Sequence, residues 1–256
     1  MTLFVADVGN SRMKWGRCGP RRVEQVAALP LDDSAAWEKT WQSWQPTAND
    51  VWMLAGVNPT PLDRLAGWLT ERRQQIRFWP GPEALPIRVN VEAPHRVGVD
   101  RLLNAVAAWK TDPAAVPAVL VDAGSAVTVD LLDGDGIFPG GAIFPGLRLM
   151  TLALHEYTAR LPLVTLDEPH PPLPGQSTEA AMRAGLHGAV VGGILHLVRR
   201  YQMRHPLRVV WLTGGDGEVL RPALEPALIE RGLTLRPWPE MTLEGLRLLA
   251  EATPTA

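Results

Sequence analysis

The chain has 256 residues, enough for one large domain or two small ones, and 46% hydrophobic residues suffice for a buried core. A formal charge of -2 and a pI near 6.3 leave no basic field for nucleic acid. The single cysteine, Cys18, excludes an intramolecular disulfide and a cysteine-rich metal site, so a reducing compartment, by default the cytosol, is expected.

The N-terminal run Met1 to Ala6 has no basic flank and stops at Asp7, which argues against an ordinary signal peptide. Periodicity then predicts strands near 2–7, 12–17 and 22–28, a helix near 33–45, a strand near 50–56 and a helix near 60–75. Trp37, Trp41 and Trp44 recur at helical spacing and read as one packed face. A proline-punctuated stretch from Phe78 to Pro94 precedes a helical pattern over 100–110, and Pro113 and Pro117 mark a break. The domain boundary is placed there, giving domains 1–115 and 116–256.

The second half begins like the first, with an apolar strand into Asp122, a strand over 127–132, a Gly-Asp-Gly turn and Ile137-Phe138. Helices near 145–160, 176–202 and 239–251 follow, with a buried strand at 208–212 running into Gly214-Gly215. The apolar stretch from Ala180 to Val198 contains Arg183, His187 and His196 and is rich in glycine, so it reads as a packed helix and no membrane partner is expected. The fold class is α/β: two duplicated βββαβα units with a nucleotide between them. The six histidines show no i,i+4 ligand pair, so a zinc site is not expected.

Two strand ends carry the same chemistry: Asp7-Val8-Gly9-Asn10-Ser11 and Asp122-Ala123-Gly124-Ser125. At a tight turn, glycine lets backbone approach a ligand, a carboxylate can hold a cation, and N–H and hydroxyl groups can face phosphate oxygens. Taken singly, each Asp-x-Gly is also what a turn-capping aspartate looks like. With the later Gly214-Gly215, the ordered set resembles the phosphate and adenosine motifs of the actin, sugar-kinase and Hsp70 ATPase superfamily, a ribonuclease H-like fold. Within it the chain resembles type III pantothenate kinases, also called CoaX. That likeness rests on the segment from Asp7 to Lys14, on Gly98-Val99-Asp100-Arg101 with Asn104 to Ala108, on Asp122 to Asp130, and on Gly140 to Gly146.

The resemblance implies ATP-dependent phosphorylation of pantothenate to 4'-phosphopantothenate, the first step of coenzyme A synthesis. Phosphoryl transfer needs a base on the acceptor hydroxyl and cations on the phosphates. Asp100 is the candidate base, with a helix N-cap as its plainer reading. Arg101 can fork onto the pantothenate carboxylate, with a surface ion pair as its alternative. Gly98, Val99 and Thr178 complete the implied substrate set, although Ser177-Thr178-Glu179 is also a capping pattern.

The segment Asp7, Val8, Gly9, Asn10, Ser11, Arg12, Met13 and Lys14 is the implied ATP side, with Asp7 orienting Mg2+ through water. Lys14 is one of only three lysines. Asp122 matches the position assigned to a monovalent cation, K+ or NH4+, while Ser125, Thr128, Gly214 and Gly215 complete the nucleotide set. Ser125 stands where threonine is common in the family and keeps the hydroxyl. Val91, nine residues before Asp100, stands where many relatives carry a pocket-lining tyrosine, so the exact substrate is less defined than the reaction. Another small-molecule kinase, a phosphohydrolase and a non-catalytic nucleotide-binding regulator remain as alternatives. Gly185, Gly188, Gly192 and Gly193 on one helix permit close helix approach, and the resemblance implies a homodimer whose interface completes the substrate pocket.

Overall fold

The structure is a computed structural model and describes residues 1–252. It divides into two compact units, Met1–Asp112 together with residues 240–252, and Pro113–Pro239. The first unit runs β1 (Leu3–Val8), β2 (Met13–Cys18), β3 (Val23–Leu29), α1 (Ser34–Trp44), β4 (Val51–Gly56), α2 (Pro59–Glu71), β5 (Gln75–Phe78), β6 (Arg88–Val89) and α3 (Val99–Thr111). The second runs β7 (Ala118–Ala123), β8 (Ala126–Leu132), β9 (Ile137–Phe138), β10 (Gly140–Pro145), α4 (Leu147–Glu156), α5 (Thr178–Gln202), β11 (Val209–Thr213), α6 (Gly217–Ile229) and β12 (Thr234–Pro237). The closing helix, α7 (Met241–Ala252), belongs to the first unit.

Each unit is built on one five-stranded sheet, ordered β3-β2-β1-β4-β5 in the first and β10-β8-β7-β11-β12 in the second. In both, the first three strands pair antiparallel and the last two join parallel. This is the duplicated βββαβα arrangement. The third strand of the second sheet is β10, not the Ile137-Phe138 pair that the pattern indicates. Gly140-Gly141 opens this strand, which runs beside β8 from Leu131 to Ala126.

In the first sheet, alternation along β1 sends Phe4, Ala6 and Val8 to one face and Val5 and Asp7 to the other. On the first face Phe4, Trp15, Trp37 and Trp52 are essentially inaccessible. Burial of each such ring contributes about 1.5–3 kcal/mol or more. Phe4 stacks on Trp52 at 4.8 Å and Trp15 meets Trp52 edge-on at 5.0 Å, with α1 and α2 supplying Trp37, Trp44, Leu65 and Leu69. Trp37 and Trp44 therefore do pack inward, and Trp41 is half-buried beside them.

On the opposite face α7 lies against β1, β2 and β4 and packs along α3. Thr242 Oγ1 donates to the buried Asn104 Oδ1 at 2.9 Å. The buried Glu244 carboxylate accepts from the Val23 N–H and from Arg247 Nε, both at 2.6 Å, and Arg247 also donates to Glu251 at 2.7 Å. A buried carboxylate is tolerable only with such partners. They fix the C-terminal helix to β3.

The second core is aliphatic: Val119, Val121, Val127, Val129, Val210 and Leu212 face Val190, Ile194 and Val198 of α5 and Leu220, Leu224 and Leu228 of α6. The sequence pattern does not show α6, because Pro222 and Pro226 lie inside it. Both prolines sit two residues from the buried leucines, on the opposite side of the helix, where the missing N–H donors leave carbonyls facing away from the core. Among the described helices only α5 is long and apolar enough to cross a membrane, by length and composition alone. Its face of Met182, His187, Val190, Ile194 and Val198 is buried within the second unit.

Candidate functional site

In the first unit, the chemistry gathers at the C-terminal end of the parallel strands β1 and β4, where open α/β sheets bind ligands. Asp7 is the penultimate residue of β1, half-buried, with Lys14 directly across on β2 and Ala55 on β4. The Gly9 N–H donates to Arg12 O at 3.1 Å and closes the turn, leaving Asn10, Ser11 and Arg12 exposed at its tip. Val8 and Met13 are fully buried in the tryptophan core, and Met13 Sδ accepts from Trp15 Nε1 at 3.2 Å.

Beyond β4, the Val57 N–H donates to Val8 O at 3.1 Å, holding the next turn of chain beside the end of β1. Val57 in turn lies beside Gly98, the residue that caps α3. The helix starts at Val99, so Asp100 is its second residue and not the N-cap that the pattern allows. The carboxylate Oδ1 accepts from the Arg101 N–H at 2.9 Å, and a Cβ on residue 98 would stand 2.5 Å from that oxygen. Glycine at 98 is what lets the carboxylate occupy this place, in the first turn, where the helix dipole favours negative charge. Arg101 is half-buried on the same turn, and Val91 is half-buried in the bend before it.

In the second unit, Asp122 is likewise penultimate in its strand and half-buried. Thr128 on β8 stands directly across it, and Thr213 on β11 flanks it from the other side. Backbone hydrogen bonds hold the following turn. The Gly124 N–H donates to Ala126 O at 3.1 Å, the Gly146 N–H to Ser125 O at 3.0 Å, and the Asp216 N–H to Ala123 O at 2.9 Å. Gly146 is the N-cap of α4 and Asp216 of α6, so two helix N-termini converge on the turn that carries Ser125. Unpaired first-turn N–H groups make such termini good anion sites. Gly214 adopts φ +96°, and a Cβ there would lie 2.3 Å from Ala123 O, so only glycine allows this approach. Gly215 is exposed beside it.

Thr178 is the exposed first residue of α5, and the cap beneath it is Ser177, which accepts from the Ala180 N–H at 3.2 Å. Gly146 and Asp216 lie in segments that the sequence marks but were given no role of their own, and Thr213 was not singled out. Gly146 had a legible signal, a Pro-Gly pair just before a helical run; the others are positioned by tertiary pairing.

Two further features bear on chemistry. Among the described residues no three His, Cys, Asp or Glu side chains cluster to hold a metal. A cavity of about 520 Å³ at the far end of the first sheet is lined by Met1, Leu3, Cys18, Val51, Arg77 and Glu251. Burial pushes the Cys18 thiol up to about 12, so it is no nucleophile at neutral pH.

A duplicated sheet with an Asp-Gly turn heading each copy is the actin-like ATPase and sugar-kinase fold. The activator of 2-hydroxyisocaproyl-CoA dehydratase from Clostridium difficile, solved with bound ADPNP, superposes with a TM-score of 0.56 over 98% of this chain and 96% of its own, at 13% identity, a likeness of fold alone. The family is narrower. A profile for type III pantothenate kinase matches residues 3–200. Type III pantothenate kinases from Gloeobacter violaceus and Flavobacterium johnsoniae are 32% and 36% identical, covering 84% and 87% of this chain and 86% and 89% of theirs. The chain belongs to the type III pantothenate kinase family.

Proposed function

We propose that this chain transfers the γ-phosphoryl group of ATP to the hydroxyl of pantothenate, with the carboxylate at the start of α3 as the base. The observation that carries this reading is Asp100, held over Gly98 at the end of the first sheet in a chain of this family. Asp100 takes the hydroxyl proton as the bond to phosphorus forms, and Arg101, one residue on, forks onto the substrate carboxylate. Gly98 and Val99 line the approach, and Thr178 contacts the substrate.

On the nucleotide side, the N–H groups of the 9–12 turn with Ser11 and Lys14, and Ser125 with the first turns of α4 and α6, hold phosphate oxygens. Gly214 and Gly215 leave room for the nucleoside. Asp7 fits Mg2+ through water, since one carboxylate at a strand end suits an ion that keeps most of its hydration shell. Asp122, with hydroxyls on both flanks, fits K+ or NH4+. Bound there, these cations offset the negative charge of the phosphates.

The enzyme works as a cytosolic homodimer. Ala181, Gly185, Gly188 and Gly192 present an exposed, side-chain-poor stripe on α5, fit for close approach to a second copy that completes the substrate pocket. Sedimentation velocity checks the pairing: a monomer at micromolar concentration overturns it. Fractionation of expressing cells checks the location, and recovery with membranes overturns it.

The decisive assay is coupled ADP release with Mg-ATP, pantothenate, and either potassium or sodium as the monovalent cation. Pantothenate-dependent turnover that requires potassium is the expected result; none with potassium overturns the reading. Val91 favours one second reading, a kinase of this fold for another small alcohol. Turnover with a different alcohol but not pantothenate would establish it, and ADP release without any acceptor would establish a hydrolase.

A further inference from the structure

The cavity at the far end of the first sheet is built on the face that α7 covers. Register sets Leu3 beside Val51 on β4, and Arg77 beside Met53 two residues further on, so Leu3, Val51 and Arg77 stand on one side of the sheet. That side is the one facing α7: a Cβ on Gly16, the partner of Val5, would meet Leu243 at 3.3 Å. Ala250 and Glu251 from the last turn of α7 and Cys18 from the end of β2 add to the walls. The volume of about 520 Å³ falls within the range of small-molecule sites.

The two charged side chains in the walls differ in what already holds them. Glu251 Oε1 accepts from Arg247 Nη1 at 2.7 Å along the helix, so its carboxylate is engaged. Arg77 is the only cationic side chain of the walls and is half-buried, and among the described residues no ion pair holds it. A guanidinium carries its N–H donors in a planar fork that matches a carboxylate, and partial removal from water strengthens that pair. Leu3, Val51 and Ala250 make the neighbouring wall apolar. A cation in reach of such a wall fits a carboxylate head on an apolar body.

We propose that this cavity binds a small organic monocarboxylate, with Arg77 forked onto the carboxylate and the apolar body laid against Leu3, Val51 and Ala250. The site is separate from the one built on Asp7. Leu3 and Asp7 stand near opposite ends of β1, roughly 13 Å apart at the rise of a strand.

The probe is octanoate, titrated by calorimetry into the whole chain with and without saturating Mg-ADP. One-to-one binding that Mg-ADP leaves unchanged is the expected result. Cys18, the single cysteine, lines the cavity and reports occupancy: its slow alkylation by iodoacetamide at pH 9, followed by intact mass, should slow about fivefold or more in saturating octanoate. Octylamine, with the same chain and the opposite charge, should bind about tenfold more weakly or worse. Arg77→Gln should weaken octanoate binding about 10- to 100-fold and remove the protection of Cys18. No saturable octanoate binding, displacement by Mg-ADP, equal affinity for octylamine, unprotected Cys18 or parent-like binding by Arg77→Gln each overturns the proposal. The octylamine and alkylation measurements use the parent chain, so they decide the matter even where Arg77→Gln fails to fold. None of these outcomes touches the reading of Asp100, which the ADP-release assay tests on its own.

Discussion

Asp7 and Asp122 occupy the same place in two copies of one strand order, each penultimate in a six-residue strand at the centre of its sheet. Their cross-strand neighbours differ: Lys14 faces Asp7, whereas Thr128 faces Asp122. An opposed lysine brings a positive charge to the same strand pair as the carboxylate. An opposed threonine brings a hydroxyl and no charge to the carboxylate. The turns differ as well. The first closes on itself, from Gly9 to Arg12, while the second is clasped by the N-termini of α4 and α6. One strand order thus recurs with a different residue facing the carboxylate in each copy.

The comparison breaks most severely at the residue only the first unit has. Asp100 has no counterpart on the second sheet's helices in this reading, so Asp100→Asn should lower kcat about 10²- to 10⁴-fold with little change in ATP affinity. Steady-state kinetics with calorimetric nucleotide titration checks both. A kcat within threefold of the parent would reduce Asp100 to a helix-start residue.

Next in size is the contrast between the glycines of two loops, one after β1 and one after β11. At Gly214 a methyl group meets Ala123 O at 2.3 Å with φ at +96°, whereas at Gly9 the nearest atom is Arg12 O at 3.1 Å. Gly214→Ala should therefore cost several kcal/mol, on the order of 2–4, and Gly9→Ala about 1 or less. Urea unfolding of the two variants ranks them, and equal losses would mean that the β7–β8 turn yields where the backbone contacts say it cannot.

These residues also show what a reader of the sequence can and cannot recover. Both Asp-x-Gly turns and the Gly98-Val99-Asp100-Arg101 segment were legible because their chemistry is contiguous in the chain. The repeated order of elements along the chain was legible too, since apolar runs and turns recur in the same sequence twice, although the third strand of the second copy was placed at Ile137-Phe138 and not at β10. What stayed hidden is set by distant pairing. Thr213 joins Asp122 only through a parallel register, and α7 reaches β3 only through Glu244 and Arg247. Helix α6 was masked by Pro222 and Pro226, whose effect depends on which side of the helix they occupy, and β10 by its opening glycine pair, a residue type depleted in strands.

The smallest expected effect is confined to the second unit. His187 on α5 is buried with Nε2 unpartnered, and its ring bonds to the Val219 backbone in the first turn of α6. Burial holds its pKa below the usual 6.5, the Val219 contact works against that, and His170 adds to it. With the folded value depressed, the unfolded chain binds more protons, so stability rises with pH. This contribution is complete above about pH 6.5 and is lost progressively as the pH falls through 6.5 toward the folded value. His187→Gln keeps a donor for Val219 but cannot titrate. Its unfolding temperature should decline less than the parent's between pH 7.5 and 5.5, and tryptophan fluorescence with far-ultraviolet circular dichroism can follow both. Identical pH profiles would mean that His187 is protonated without cost. Because Val219 lies in the first turn of the helix that follows Gly214, a shallower profile would also tie the stability of the Gly214 loop to this one buried ring.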